Sequence, residues 1–312
     1  MTRVLISAPY FQPVLERFRH RFDERGIELV VPPVEERLEE PELLRLIPGI
    51  DGVVCGDDRF TAKVIAAADT LKVISKWGTG VDSIDADACA ARGIALCRTP
   101  NAFSEPVADS VLGYALAFAR NQPALDRAMK GGEWQKVPGA SLGELTFGII
   151  GVGDVGTAVA KRVVGFGSEL LGTDITPIRQ EALDYGLEPA ELEDLLARSD
   201  IIAVCCDLNP TSRHIIRAER LALMKPGAVV INAARGPLVC EPDLVAALQN
   251  GTIRGAAMDV FEDEPLPLDS PLRTMDHVML APHNANSSPR AWEKVHENTL
   301  ANLFRELERH GV

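Results

Sequence analysis

The segment Phe147-Gly148-Ile149-Ile150-Gly151-Val152-Gly153-Asp154-Val155-Gly156 constrains the fold of this chain more than any other. An apolar run of strand character enters a GxGxxG turn, and the apolar residues beyond it recur at helical spacing. Each glycine answers a separate steric need: Gly151 permits the tight turn, Gly153 lets the backbone approach a pyrophosphate, and Gly156 lets helix and strand pack closely. Amides at the helix start, aided by its dipole, then receive the phosphates, with Asp154 and Val155 contributing through their backbone. The hexapeptide alone is weak evidence. Its setting strengthens it, because an acid, Asp174, ends the next strand 23 residues after Gly151. A carboxylate there accepts bonds from both adenosine ribose hydroxyls and repels a 2′-phosphate, which favours NAD over NADP. Asp174 can also be read as a turn residue before Pro177, and Arg179 lies within reach of a 2′-phosphate. The Asp154 carboxylate would repel a pyrophosphate, so it is expected to face solvent.

The same alternation runs through nearly the whole chain, and short β-type runs separated by helical patterns predict parallel α/β layers. Strands are expected at Val4–Ile6, Gly52–Val54, Val73–Ile74 and Ile94–Leu96, with helices between them such as Leu15–Arg25 and Ala62–Ala68. No phosphate loop follows the first strand. A turn at Thr99-Pro100-Asn101 leads into Ser104-Glu105-Pro106, which reads as an N-cap followed by proline in the first helical turn. The apolar helix beyond it, Val107 to Ala119, is expected to be buried between layers, domains or subunits. Asp126 to Gly143 reads as a surface loop or as an arm over a second subunit. From Leu145 a second unit offers six strands: Phe147–Ile150, Leu170–Thr173, Ile201–Cys205, Ala228–Ile231, Ala256–Met258 and Val278–Leu280. Six strands with crossovers are what a doubly wound dinucleotide-binding domain requires. An amphipathic helix, Ala291–Leu307, ends the chain.

Composition narrows the partners. Among 312 residues, 45 acidic and 32 basic side chains leave a net charge of −13, which argues against nucleic acid or an anionic bilayer. The N-terminus has neither a signal-peptide core nor a membrane span. The six cysteines contain no CxxC pair and read as small buried hydrophobes in a reducing, cytoplasmic compartment, so no metal site is expected.

Oxidation of an alcohol by a nicotinamide needs a base for the hydroxyl proton, a cation for the substrate's carboxylate or carbonyl, and a group to tune the base. Candidates stand after the later strands, where ligands bind in open α/β sheets: Arg235 in NAARGPLV, Glu264 in DVFEDEP and His283 in LAPHNAN. A carboxylate beside an imidazole favours its protonated form, which suits a residue that gives a proton to a carbonyl and takes it back from the alcohol. The other histidines, His20, His214, His277, His296 and His310, read as structural.

The motifs KWGTGVDSID, TPNAFSEPVAD, GIIGVGDVG, MKPGAVVINAARGPLV, GAAMDVFEDEP and APHNA appear here in one order. In this they resemble the NAD-dependent D-isomer-specific 2-hydroxyacid dehydrogenases, especially phosphoglycerate dehydrogenase-like members. The resemblance implies an α/β protein of two doubly wound parallel-sheet domains, a Rossmann NAD domain (99–286) inserted in a flavodoxin-like substrate domain (1–98 and 287–312). The cleft between them would close over NAD and a small anionic 2-hydroxy or 2-keto acid. It implies His283 as acid/base, Glu264 as its orienting partner and Arg235 as the substrate-binding cation. The amides of Thr79 and Gly80 would cradle the carboxylate, and Thr79 would also touch the nicotinamide end. Cys206, Ala233 and Asp259 match cofactor positions, Asp259 by the carboxamide, and Asn101 matches a substrate-proximal position. A homodimer is implied as well.

Two departures bear on the substrate. The first position of KWGTGVD is commonly arginine in the phosphoglycerate branch and is Lys76 here, followed by Trp77; lysine keeps the charge and loses the bidentate fork. His283-Asn284-Ala285-Asn286 replaces the frequent HIGG or HIGS. Lys76 and Arg98 are expected either to form a second anion site or to face solvent. Two other functions share this scaffold: a non-enzymatic NAD-sensing interaction protein, which has no need of Arg235, Glu264 and His283 together, and a phosphite-type dehydrogenase. A formate-type enzyme is disfavoured, since its position matching Glu264 resembles glutamine.

Overall fold

In the computed structural model, which describes residues 1–311, the alternating pattern forms two wholly parallel sheets. Contacts divide the chain into two compact units: Met1–Ala102 with the segment from Ser288 onward, and Phe103–Ser287. The turn at Thr99–Asn101 goes with the first unit.

The first unit's strands are Arg3–Ile6 (β1), Glu28–Val30 (β2), Gly52–Cys55 (β3), Val73–Lys76 (β4) and Ala95–Cys97 (β5), in the order β2-β1-β3-β4-β5. Central strands β3 and β4 are buried throughout, as a parallel sheet covered on both faces requires. Edge strand β2 is three residues long with none buried, so it leaves no apolar pattern to read in the sequence. The C-terminal helix, Pro289–Arg309, packs on β3, β4 and β5. Close approach is possible because Gly52 has no side chain: a Cβ there would lie 2.8 Å from Leu303 Cδ1. Polar contacts fix the register of that packing. Ser75 Oγ donates to the Thr299 carbonyl (2.8 Å), and Trp77 Nε1 donates to His296 Nδ1 (2.9 Å). Burial lowers the pKa of His296, in the direction that favours the neutral ring this acceptor role requires.

A buried acid gives this unit a pH-dependent term. Asp58 is fully buried, accepting from Ser7 Oγ at 2.5 Å and from the Leu38 amide at 2.6 Å. Burial pushes its carboxyl up from 3.8 to about 6. The folded state therefore binds this proton more tightly than the unfolded state. The resulting stabilisation is full below about 3.8 and is lost as pH rises through about 6. Asp58→Asn keeps one acceptor and supplies one donor, and it is expected to remove a pH-dependent contribution on the order of 3 kcal/mol between those limits. Urea unfolding at pH values on either side of this window measures it; the same pH dependence in both proteins would contradict the assignment.

The second unit's strands are Thr146–Ile150 (β6), Glu169–Thr173 (β7), Glu188–Pro189 (β8), Ile201–Val204 (β9), Val229–Asn232 (β10), Gly255–Met258 (β11) and Val278–Leu280 (β12). Their order, β12-β11-β10-β9-β6-β7-β8, reverses direction between β6 and β9, the switch point where ligands bind in such sheets. The seventh strand, β8, is a two-residue exposed edge, too short to give a periodic signal. Helix Ser104–Ala119 begins one residue earlier than a Ser104 cap allows: Phe103 is the N-cap, and no side chain caps it. This helix packs on helix Asp154–Val163, where Arg162 reaches Glu105 (2.7 Å) and Asp109 (2.6 Å). Its other end is equally close to the sheet, since a Cβ at Gly255 would lie 2.8 Å from Phe118 Cε1. Much of its apolar surface is thus covered within the unit. Part of the segment read as a loop or arm is helical, Gln122–Lys130, and an exposed irregular stretch follows.

Candidate active site

The glycine loop meets the three steric demands separately. Gly151 has φ +90°, and a Cβ would lie 2.4 Å from the Cys206 backbone, because the loops leaving neighbouring strands β6 and β9 touch there. At Gly156 a Cβ would fall 2.1 Å from the Gly151 carbonyl oxygen. Gly153 is different: nothing lies within 4 Å of its Cβ position. The backbone at the start of helix Asp154–Val163 is open at this point, as close approach of a pyrophosphate requires. These residues fit a dinucleotide.

Asp174 is tied to the same loop. Its Oδ2 accepts from the Val152 amide (2.7 Å), while Oδ1 accepts from the amide (2.8 Å) and hydroxyl (2.9 Å) of Thr176. It therefore caps a turn, and it stands just after the end of β7, the position expected of a ribose-binding acid. Asp154 is half-buried rather than free in solvent, and its carboxylate pairs with Arg179 at 2.5 Å. Arg179 thereby offsets the charge that would repel a pyrophosphate, and is itself engaged rather than free for a 2′-phosphate. Val155, Cys206 and Ala233 are half-buried, Cys206 directly against Gly151. Burial pushes the Cys206 thiol up to about 12, so it is a small apolar wall and no nucleophile.

After β10, β11 and β12 stand the three candidate catalytic side chains. His283 Nδ1 lies 3.1 Å from Glu264 Oε2, and both side chains are mostly shielded from solvent. The other oxygen, Oε1, accepts from the Phe261 amide at 2.9 Å, which fixes the carboxylate. His283 adopts φ +51°, a region that histidine tolerates better than most residues, and its amide donates to the Asp259 carbonyl (2.7 Å). Arg235 precedes Gly236, where a Cβ would collide with the Phe261 carbonyl, so the arginine's turn is pressed against the segment leading to Glu264. Arg235 Nη1 donates to the Ala234 carbonyl (2.8 Å).

Two residues outside the sequence reading support this trio. Asn232, fully buried at the end of β10, donates to the Arg235 carbonyl (2.9 Å) and accepts from the Ala234 amide (3.2 Å), clasping the arginine turn. Burial, followed by the charge of the Asp259 carboxylate, pushes the Tyr114 hydroxyl up to about 12. Asp259 itself is 1% exposed and accepts the amides of Asn284 (3.0 Å) and Ala285 (2.8 Å). It thereby anchors the segment that carries His283. A buried polar residue at a strand end was the available signal for Asn232; for Tyr114 the sequence carried none.

The remaining candidates belong to the first unit. Thr79 Oγ1 donates to the Thr99 carbonyl (2.9 Å), and Gly80 follows it, half-buried. Asn101 is exposed with φ +50°. Lys76 does not face solvent: it is 3% exposed, with Nζ 3.0 Å from Asp57. Its charge is thus already met by an acid. Arg98 is exposed and donates to the Thr79 carbonyl (3.3 Å).

Comparison with known proteins agrees with this geometry. Residues 112–285 match the family model described as D-isomer specific 2-hydroxyacid dehydrogenase, NAD binding domain. A D-3-phosphoglycerate dehydrogenase of Methanocaldococcus jannaschii is 38% identical over 93% of this chain, which spans only 55% of that relative. A glyoxylate reductase of Thermofilum pendens is 38% identical over 89% of this chain and 83% of its own length. A solved protein of Thermus thermophilus superposes with a TM-score of 0.86 at 34% identity, covering 98% of this chain and 97% of the other. With a glycine loop open to pyrophosphate and an acid at the end of β7, the chain belongs to the D-isomer specific 2-hydroxyacid dehydrogenase family and takes NAD as its cofactor.

Proposed function

We propose that the protein interconverts a small D-2-hydroxy acid and its 2-keto acid. The carrying observation is the His283–Glu264 pair at 3.1 Å, its carboxylate fixed from behind by a backbone amide. NAD, held at the glycine loop, supplies the hydride acceptor, and in its reduced form the donor. His283 holds the proton exchanged with the substrate oxygen, on the ring nitrogen opposite Nδ1. Glu264 orients the ring and stabilises its protonated form. Arg235 binds the carboxylate and polarises the carbonyl, since a guanidinium matches a planar anion with two parallel bonds.

The relatives named for phosphoglycerate and glyoxylate differ in whether the substrate carries a second anion. Lys76 is buried against Asp57, which favours a compact monoanion of the glyoxylate or hydroxypyruvate type. Initial rates with NADH across a panel of 2-keto acids and phosphohydroxypyruvate test both levels of the reading. A kcat/KM at least about tenfold higher for the compact acids is expected, a difference of about 1.4 kcal/mol. A preference for the phosphorylated acid would overturn the substrate, and no turnover with any of them would favour an NAD-sensing interaction protein.

The protein is further read as a cytoplasmic homodimer. Six free cysteines support the reducing compartment. Trp134 (87% exposed) and Met129 (51%) supply apolar surface on the segment suspected as an arm. Trp134→Glu is expected to shift sedimentation toward the monomer, and an unchanged profile would remove this segment from the interface.

A further inference from the structure

Three loops of the second unit, leaving β9, β10 and β11, bring His214, Cys240 and Glu262 together, with one ligand atom of each within 4.8 Å of the others. None of the three has a part in the chemistry above, and no cysteine spacing signals them, because the residues come from separate crossovers.

Bonds mostly other than those of the three side chains hold the loops in place. The His214 amide donates to the Pro237 carbonyl (2.8 Å), and Ile216 pairs with Val239 in an isolated parallel bridge, which sets His214 alongside Cys240. Cys240 caps helix Glu241–Gln249. Glu262 is fastened to that same helix start, since its amide donates to Glu241 (2.5 Å) and its Oε1 accepts from the Glu241 amide (3.3 Å). Apart from the weak bond to Glu262 Oε1, the donor atoms thus meet on a scaffold assembled without them.

One contact in the cluster is poorly made. His214 Nε2 lies 2.9 Å from Glu262 Oε1, yet outside hydrogen-bond geometry, and it is shielded from solvent with no hydrogen-bond partner. A buried ring nitrogen left in that state calls for an explanation. A cation supplies one: nitrogen, thiolate sulfur and carboxylate oxygen together are the donor set of a borderline divalent ion. Bonds of about 2.0–2.3 Å in tetrahedral coordination place donors roughly 3.3–3.8 Å apart. The separations here, all within 4.8 Å, are of the same order.

We propose that His214, Cys240 and Glu262 form a binding site for a divalent cation of the zinc type, with water as the fourth ligand. Occupancy would cross-link the turns that carry Arg235 and Glu264. Titration of chelator-treated protein with Co²⁺, a spectroscopic stand-in for Zn²⁺, tests the site without reference to turnover. One equivalent is expected to produce tetrahedral visible bands and a near-ultraviolet thiolate-to-cobalt band, both lost on adding one equivalent of Zn²⁺. Cys240→Ser should abolish the thiolate band and weaken Co²⁺ binding at least about tenfold, the smallest cost seen for changes merely behind a metal ligand. Cys97→Ser should leave both intact. His214→Gln provides a second comparison if the serine variant does not fold: affinity should fall by a similar factor. No thiolate band in the unsubstituted protein, or a band that survives Cys240→Ser, would overturn the proposal.

Discussion

His283→Asn is expected to lower kcat by about 10²–10⁴-fold, the range for loss of a positioned acid/base, while NADH binding followed by fluorescence changes little. Asparagine is a sharper probe than alanine. His283 occupies φ +51°, where asparagine is at ease and alanine is strained. An amide also keeps a hydrogen bond to Glu264 while exchanging no proton near neutral pH. Loss of turnover in a folded, cofactor-competent His283→Asn protein would isolate the proton step. Retention of more than about a tenth of the activity would show that another group, or solvent, carries the proton, and the roles given to His283 and Glu264 would fall together.

Arg235→Ala is expected to reduce kcat/KM by about 10³-fold. Two charge-assisted hydrogen bonds to a carboxylate contribute on the order of 4 kcal/mol. Each 1.36 kcal/mol corresponds to about tenfold in rate. Arg235→Lys restores the charge without the planar fork, so it should recover only a small part of the loss. The division between kcat and KM carries further information. A rise in KM alone would mean that the arginine binds substrate and transition state equally, whereas a fall in kcat would show that it meets charge developing on the carbonyl oxygen. Asn232 clasps the backbone of residues 234 and 235, so the turn keeps these two bonds when the guanidinium is removed. An Arg235→Ala protein with unaltered kinetics would remove the residue from the site.

The parts of the fold legible in the sequence are those whose signal is local and periodic. Buried strands such as β9 and β10 announce themselves as apolar runs, and the glycine loop carries its steric logic in its own spacing. Edge strands β2 and β8 bury almost nothing, so the selection that writes a pattern into a central strand does not act on them. Ser104 shows another limit. Its residue type suits a cap, yet the buried helix starts at that residue with Phe103 before it, because packing outweighs a capping bond of about 1 kcal/mol. Charge was the least legible property. Whether Lys76 faced an anion or an acid depended on Asp57 beside it in space, and the pairing of Asp154 with Arg179 joined two residues that the sequence could only weigh separately. The same holds for Asp259, on which the amides of Asn284 and Ala285 converge from 25 and 26 residues away, a contact that no local pattern announces.

Helix Pro289–Arg309, which lies on β3, β4 and β5, has a consequence for the order of events at the ribosome. Domains fold largely as units, amino-terminal first, as the chain emerges. Here the five strands of the first sheet are complete by Cys97, while the helix that covers one of their faces is synthesised only after the whole second unit. For the time needed to translate some 190 residues, between Cys97 and Pro289, the nascent first sheet presents Gly52, Ser75 and Trp77 without their final partners. The second unit has no such dependence on sequence order, since Phe103–Ser287 is continuous. Biogenesis of this protein therefore runs against its numbering: the middle of the chain can reach its native state first, and the beginning must wait for the end.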